Sequence, residues 1–281
     1  MSLALLGVLG FSFSLPWTVW ALESFAPVLT ATGRAVIAAS LAIVVLLARR
    51  VPWPQRHQVK PLLYTMTGAV FGWPILIALA LERTTAAHAA VIAAVMPLVT
   101  AVIAVLRTHE RVSRQFWLAA ACGTAALVVF ALLRGGGEGG SLTADALIAG
   151  AVVASSWCYV EGATLTKDMP GWQVISWVVV FALPITLPVS VILAATGGVT
   201  TPVTLPAWFG MIMLGVVSLY LAFFAWYRGL SLAGVARGAQ TQQLQAPLTL
   251  VWSALLLGET ITIPTMVTAL VVVACVAWAV R

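Results

Sequence analysis

Charge is what this sequence has least of. Only 8% of its 281 residues are Asp, Glu, Lys or Arg, where soluble domains carry about 25%. Acids are the scarcer sign, 8 against 14 basic residues. So low a charge excludes most soluble classes and intrinsic disorder with them. It also excludes a conventional nucleic-acid binder: a net +6 on a chain that is 62% hydrophobic is a membrane-topology signal first. Histidine is limited to His57, His88 and His109, with no pair spaced for metal or haem. No GxxxxGK[ST] loop occurs, so the chain does not hydrolyse ATP and implies no ATPase partner. HExxH, a GxSxG suited to a hydrolase and a TVGYG-like channel filter are absent too. Cys122, Cys158 and Cys275 form no CxxC pair and read as small buried apolar residues. The expectation is therefore no metal, no cofactor and no enzymatic centre.

What is present is apolar length. A spanning helix needs about 20 mostly apolar residues, and ten such stretches lie between polar or Pro/Gly breaks. They are Leu3–Ala21, Ala26–Ala48, Lys60–Ala80, Thr85–Leu106, Arg114–Leu133, Leu142–Ala163, Gly171–Ala195, Pro206–Trp226, Val235–Leu257 and Ile261–Val280. They lack the short alternating pattern of barrel strands. Helix then satisfies every backbone group in lipid. Met1–Phe13 has no Lys or Arg, so the first stretch is expected to be an uncleaved span rather than a secretory signal. With the N-terminus inside, the inner loops and helix ends hold 11 basic residues and the outer loops only Arg83 and Arg134. This predicts cytoplasmic N- and C-termini.

The run Gly135–Gly140 divides the chain into five stretches before and five after. An odd number per half inserts the halves with opposite orientation, the inverted-repeat plan of many secondary transporters. The expected organisation is a first five-helix repeat at 1–134, a glycine-rich linker at 135–141 and a second repeat at 142–281. Laying Ala80–Glu110 on Gly229–Glu259 gives seven identities in 31 positions, Glu110/Glu259 among them. Pro97 and Pro247 align within one residue.

These same residues carry a family resemblance. Ala80-Leu81…Thr85-Ala86-Ala87…Pro97…Glu110, echoed by Gly229-Leu230…Pro247…Gly258-Glu259, resembles the signature of EamA-type carriers of the drug/metabolite transporter superfamily. Arg34 resembles the arginine usual early in the second span. The resemblance covers essentially the whole chain. It implies an all-α integral membrane protein with ten transmembrane helices in two inverted five-helix repeats, in a bacterial inner membrane. The aromatic content further resembles the YddG-type exporters of aromatic amino acids. One departure is that Ser176-Trp177 stand where a counterpart of Arg34 would fall, so an arginine role is single-sided.

Polar residues inside a membrane are costly and face a cavity or a partner helix. Gln240, Gln242, Gln243 and Gln245 crowd the ninth stretch. As an α-helix, Gln240 and Gln243 share one face and Gln242 and Gln245 the opposite one. One face lines a wet cavity, or the amides bond neighbouring helices. Ser12, Ser14, Trp17 and Thr18 mark the first stretch, where Pro16 frees a carbonyl and predicts a kink. Trp73 and Pro74 mark the third; Ser155, Trp157, Tyr159 and Glu161 the sixth; Ser218 and Tyr220 the eighth. Aromatic walls with a few polar tips suit a flat or apolar solute; packing or an interfacial belt is the alternative for each. Arg34, about 12 Å into its span, either attracts a substrate carboxylate, forms an ion pair or snorkels. His88, opposite Arg237 in the repeat, either titrates or makes a structural bond. Glu161 is the carboxylate best placed for coupling, while Glu259 at a helix end is expected to be structural. Gly68/Gly72 and Gly234/Gly238 form GxxxG patterns that let helices approach closely, and Pro97 and Pro247 mark hinges.

The expected function is a secondary carrier with a small-molecule substrate, an aromatic amino acid by resemblance, moved by alternating access through a central cavity. Non-aromatic amino acids and small amphiphiles remain alternatives, as do facilitated diffusion and proton exchange, and a monomer or a homodimer.

Overall fold

The computed structural model describes residues 2–108, 141–233, 240–260 and 262–279, together with 114, 118, 122, 125 and 126. Most of the predicted fifth span, the glycine run, Glu110, Gly234, Arg237 and Gly238 lie outside the described residues, as do the side chains of Gln240 and Gln243.

The described elements are helical. In chain order they are α1 (Ser2–Ser12), α2 (Ser14–Leu22), α3 (Pro27–Ala48), α4 (Arg56–Met66), α5 (Trp73–Leu81), α6 (Ala86–Ala93) and α7 (Met96–Thr108). After residue 140 come α8 (Leu142–Leu165), α9 (Gly171–Ala195), α10 (Leu205–Met213), α11 (Ala222–Ala233), α12 (Gln245–Leu257) and α13 (Ile263–Ala279). Seven continuous or nearly continuous helical runs are long and apolar enough to cross a membrane. They coincide with predicted spans one to four and six to eight, while α12 and α13 are shorter apolar helices at the ninth and tenth. The protein is a multi-pass membrane protein.

Local chemistry sets the helix starts. Pro27 opens α3 at a position where its missing N–H costs nothing. Thr85 caps α6 by accepting from the His88 N–H at 3.1 Å, and Thr204 caps α10 through the Ala207 N–H at 3.2 Å. Gln55 and Gln58 cap α4 reciprocally. Gly258, at φ 66, ends α12 in the left-handed conformation that glycine adopts without strain.

Within the helical runs the backbone departs from α geometry in five places. Thr67–Gly72 and Leu214–Leu221 are π-helical, widening the runs that join α4 to α5 and α10 to α11. The first run breaks at Phe13, three residues before Pro16. That proline cannot donate to the Ser12 carbonyl one turn back; the Thr249 hydroxyl donates to it instead, at 2.8 Å. The fourth run breaks at Ala94–Val95, just ahead of Pro97. The glutamine run is not α-helical as expected: Gln240–Leu244 is a 3₁₀ turn leading into α12, with Pro247 in the first turn of that helix. Three residues per turn replace the predicted opposition of two glutamine faces.

One apolar core joins both parts of the chain, with residues from α1, α3, α8, α9 and α11 in a single cluster. α1 packs on α11 at glycines: a Cβ on Gly7 would sit 2.9 Å from the Trp226 nitrogen, and one on Gly229 2.5 Å from the Ala4 nitrogen. Gly68 and Gly72 lie against α8, where a Cβ on Gly68 would collide with the Ala154 carbonyl and come 2.6 Å from the Cys158 Cβ. Charge separates the two ends of the bundle. Arg49, Arg50, Arg56, Lys60, Arg107, Lys167 and Arg228, with the acids Glu161 and Asp168 among them, lie at the end where α3 and α8 finish, whereas Glu23, Glu82, Asp145 and Glu259, with Arg83 beside Glu82, lie at the other.

Candidate functional site

The breaks converge. A small cavity is lined by Phe11 and Ser14 on either side of the Phe13 break, by Arg34 of α3, and by Ala69 and Trp73 of the first π segment and α5. Ser155 and Tyr159 of α8, Ser218 and Phe223 at the second π segment, and Gln245 complete it. A second void, lined by Leu15, Ala93, Ala94, Met96, Pro97, Gln242, Gln245 and Thr249, reaches the fourth and ninth runs at their own breaks. Gln245 borders both. Irregular backbone at membrane depth is tolerated where it is buried in protein or lines a cavity, and both conditions hold here.

Arg34 dominates the electrostatics. It is 4% exposed, and its Nη2 donates to Ser218 Oγ at 3.2 Å. Ser218 Oγ also contacts Ser14 Oγ. The buried Arg34 Nε has no hydrogen-bond partner, and no acidic side chain pairs with this guanidinium among the described residues. A buried cation without a counter-charge is expensive, so the site favours a ligand that brings a carboxylate or another anion. Around it stand apolar rings: Phe11 meets Phe223 edge-on at 4.9 Å, and Tyr159 lies 6.0 Å from Phe11 and 5.5 Å from Trp226. The cavity holds only about 20 Å³, enough for one water molecule. The structure is therefore closed around Arg34, and any larger ligand requires the helices to part.

Two polar contacts bracket this region, both joining the fourth run to α8. At one end His88 Nε2 meets Asp145 Oδ1 at 2.7 Å; at the other Arg107 Nε donates to Glu161 Oε1 at 2.6 Å. Between them the Thr100 hydroxyl donates to Ser156 Oγ at 3.0 Å. The Glu259 carboxylate caps α6 from the far side, accepting from the Ala86 and Ala87 N–H groups at 2.9 and 2.8 Å.

Secondary transporters commonly bind substrate where membrane helices are broken, and here buried polar groups meet at such breaks. The profile of the EamA-like transporter family matches residues 1–132 and 142–281. The chain belongs to the EamA-like transporter family. It is 38% identical over 276 residues to YdeK of Bacillus subtilis (strain 168), described as an uncharacterized transporter, covering 98% of this chain and 95% of that one. A solved crystal structure with TM-score 0.67 covers 98% of this chain and 97% of its own at 20% identity, a likeness of fold. Family and relative together point to a transporter of small molecules in the bilayer rather than an enzyme.

Within this EamA-like chain the predicted site residues divide. Arg34, Trp73, Tyr159 and Gln245 meet at the cavity, and Gln242 lines the second void, its Nε2 3.7 Å from Met96 Sδ. The others go elsewhere. Ser12 is a helix anchor: its Oγ accepts from Trp252 Nε1 at 3.0 Å and donates to the Leu9 carbonyl at 2.7 Å. Trp17 stacks on Phe13 at 4.8 Å and lines an outer groove, because the turn at Phe13 rotates α2 relative to α1. Trp157 is 36% exposed on the outer face of α8 against Tyr64, since position 157 lies opposite the cavity-facing 155 and 159 side of the helix. The Tyr220 hydroxyl bonds Ser176, and its ring packs on Phe224, away from the cavity. His88 pairs with Asp145, which the repeat logic did not anticipate. Glu161 is tied to Arg107 at the bundle end, leaving its Oε2 buried and unpartnered. Phe11, Ala69 and Phe223 line the cavity without having been singled out. Their apolar side chains carry no polar signal, and only the irregular helix geometry turns them inward.

Proposed function

We propose that this chain is a secondary transporter that exports small metabolites, preferentially aromatic amino acids, by alternating access between two inverted five-helix halves. Arg34 is the observation that carries this reading: a buried guanidinium with a free Nε in an aromatic-walled cavity suits a substrate carboxylate attached to a flat apolar body. Trp73, Tyr159, Phe11 and Phe223 would bound the ring, and Ser14, Ser155 and Gln245 offer acceptors for an ammonium group. The inverted plan is supported by matched irregularities: π segments at 67–72 and 214–221, and breaks at Ala94–Val95 and Gln240–Leu244, recur at nearly the offset that aligns Glu110 with Glu259. The two family matches, divided at the glycine run, accord with repeats at 1–134 and 142–281. The basic end of the bundle is assigned to the cytoplasm, giving ten spans with both termini inside a bacterial plasma membrane.

The test is counterflow in proteoliposomes. Vesicles are preloaded with unlabelled tryptophan, phenylalanine or threonine, and uptake of the same labelled amino acid is followed. Accelerated uptake for the aromatic pair alone is expected. Arg34→Gln should raise the half-saturating concentration on the order of 100-fold, the consequence of losing about 3 kcal/mol of buried charge pairing. Counterflow that ignores Arg34→Gln, or that favours threonine, would overturn the aromatic reading.

A further inference from the structure

The Arg34 cavity has an apolar groove on the far side of one wall. The groove, of about 320 Å³, is lined by Leu6, Leu9, Gly10, Phe13, Trp17, Val217, Leu221, Ala222 and Ala225. The two are lined by sequence neighbours on the same elements: Gly10 faces the groove and Phe11 the cavity, Phe13 and Ser14 divide likewise, and so do Val217 and Ser218, and Ala222 and Phe223. Groove and cavity are thus the two faces of a single helix–helix seam.

The seam is held unevenly. The helices are locked at backbone distance on both sides: below Gly10 by the Gly7 and Gly229 contacts, and above Ser14, where a Cβ on Gly210 would sit 2.5 Å from the Trp17 carbonyl oxygen. At Ser14 and Ser218 closure rests on a contact between two hydroxyls, backed by the Phe11–Phe223 edge contact at 4.9 Å. Both elements have lost α geometry at this level, α1 at the Phe13 turn and its partner through the π segment Leu214–Leu221. Such segments are where helices kink or hinge. The Ser218 hydroxyl also accepts from Arg34 of α3, so an anion that takes the guanidinium removes one of the two partners of the hydroxyl that meets Ser14 across the seam.

We propose that this seam is a lateral portal with a tail-binding groove: an anionic amphiphile places its charged head on Arg34 and its apolar tail in the groove between α1–α2 and Leu214–Ala225, exchanging directly with the bilayer. Charge complementarity selects this occupant. An ordinary lipid chain would satisfy the groove but leave Arg34 unpaired, and a compact anion would satisfy Arg34 but leave the groove to bulk lipid. The proposal rests on the reading of Arg34 as a substrate-anion site and extends the substrate class to tailed anions.

The probe is 11-(dansylamino)undecanoate, with its methyl ester as the neutral counterpart and dansylglycine as the tailless anion. Binding to the full chain in nanodiscs is read as saturable energy transfer from tryptophan, with empty nanodiscs as background. The undecanoate is expected to bind at least tenfold more tightly than either comparison compound. Leu221→Phe and, separately, Val217→Phe fill the groove from one wall, Leu221 being 48% exposed and Val217 partly buried; thermal unfolding of each variant checks that the fold is kept. Each should weaken the undecanoate at least fivefold, leave dansylglycine unchanged and leave phenylalanine counterflow within twofold. Equal binding of acid and ester would make the groove an annular-lipid site and overturn the proposal, as would undecanoate binding indifferent to both variants. Failure of the aromatic reading shows itself separately, as absence of phenylalanine counterflow in the unsubstituted protein.

Discussion

Deleting Arg107 and neutralising Glu161 should have unequal effects, although the two share one ion pair. Glu161 is 1% exposed; Arg107 is roughly half exposed, and only one carboxylate oxygen is bonded. Arg107→Ala therefore strands a buried carboxylate without its counter-charge. For a fully buried pair such a deletion costs about 3–5 kcal/mol. With Arg107 half in solvent, screening lowers this to about 2–3 kcal/mol. Glu161→Gln removes the charge itself and keeps a carbonyl acceptor for the guanidinium, so its cost is about 1 kcal/mol. The double substitution should be more stable than Arg107→Ala alone, because no stranded charge remains. Cys158 supplies the assay. It is fully buried and becomes reactive towards a thiol dye only on unfolding, whereas exposed Cys122 and half-buried Cys275 are replaced by serine to remove background. Arg107→Ala should lower the midpoint by roughly 5–10 °C, and adding Glu161→Gln should recover about half of that. If Glu161→Gln is as damaging as Arg107→Ala and the two effects add, the carboxylate is not held buried by this contact and the reasoning fails.

Two further outcomes follow from the helix breaks and the cavity walls. Thr249→Val should destabilise by about 1–3 kcal/mol, since it orphans the Ser12 carbonyl that Pro16 already denies a helical partner; thermal unfolding in detergent reads this, and Thr249→Ser should restore it. Trp73→Ala should depress phenylalanine counterflow at least tenfold while Trp157→Ala stays within twofold, because the first ring walls the cavity and the second faces outward.

Much of the span layout was legible because hydrophobic length is a one-dimensional property. Pro27–Ala48 and Gly171–Ala195 fall within a residue of the predicted stretches, as lipid demands about 20 apolar residues whatever their neighbours. The glycines of Gly68–Gly72 were likewise readable as a close helix approach, though not which helix would approach. Side-chain direction was far less legible. Trp157 and Tyr159 stand two residues apart and look equivalent as text, yet α8 turns about 200° between them and sends one to the lipid and the other to Arg34. The glutamine faces could not be assigned, since a 3₁₀ turn before Pro247 replaced the period on which the assignment rested. The Asp145 partner of His88, 57 positions away in sequence, could not be read from the one-dimensional pattern.

By itself, then, the sequence determined that the chain lives in a membrane, roughly where seven of its spans run among the described residues, and which few polar residues carry a cost that demands an explanation. Only the tertiary structure decided which of those residues meet. The reason is physical: in lipid a helix is stable on its own backbone hydrogen bonds, so its existence is local, but the face it turns inward depends on packing against helices far away in sequence, and here on breaks and π segments that rotate Phe11, Ser14, Ala69 and Ser218 towards one buried arginine.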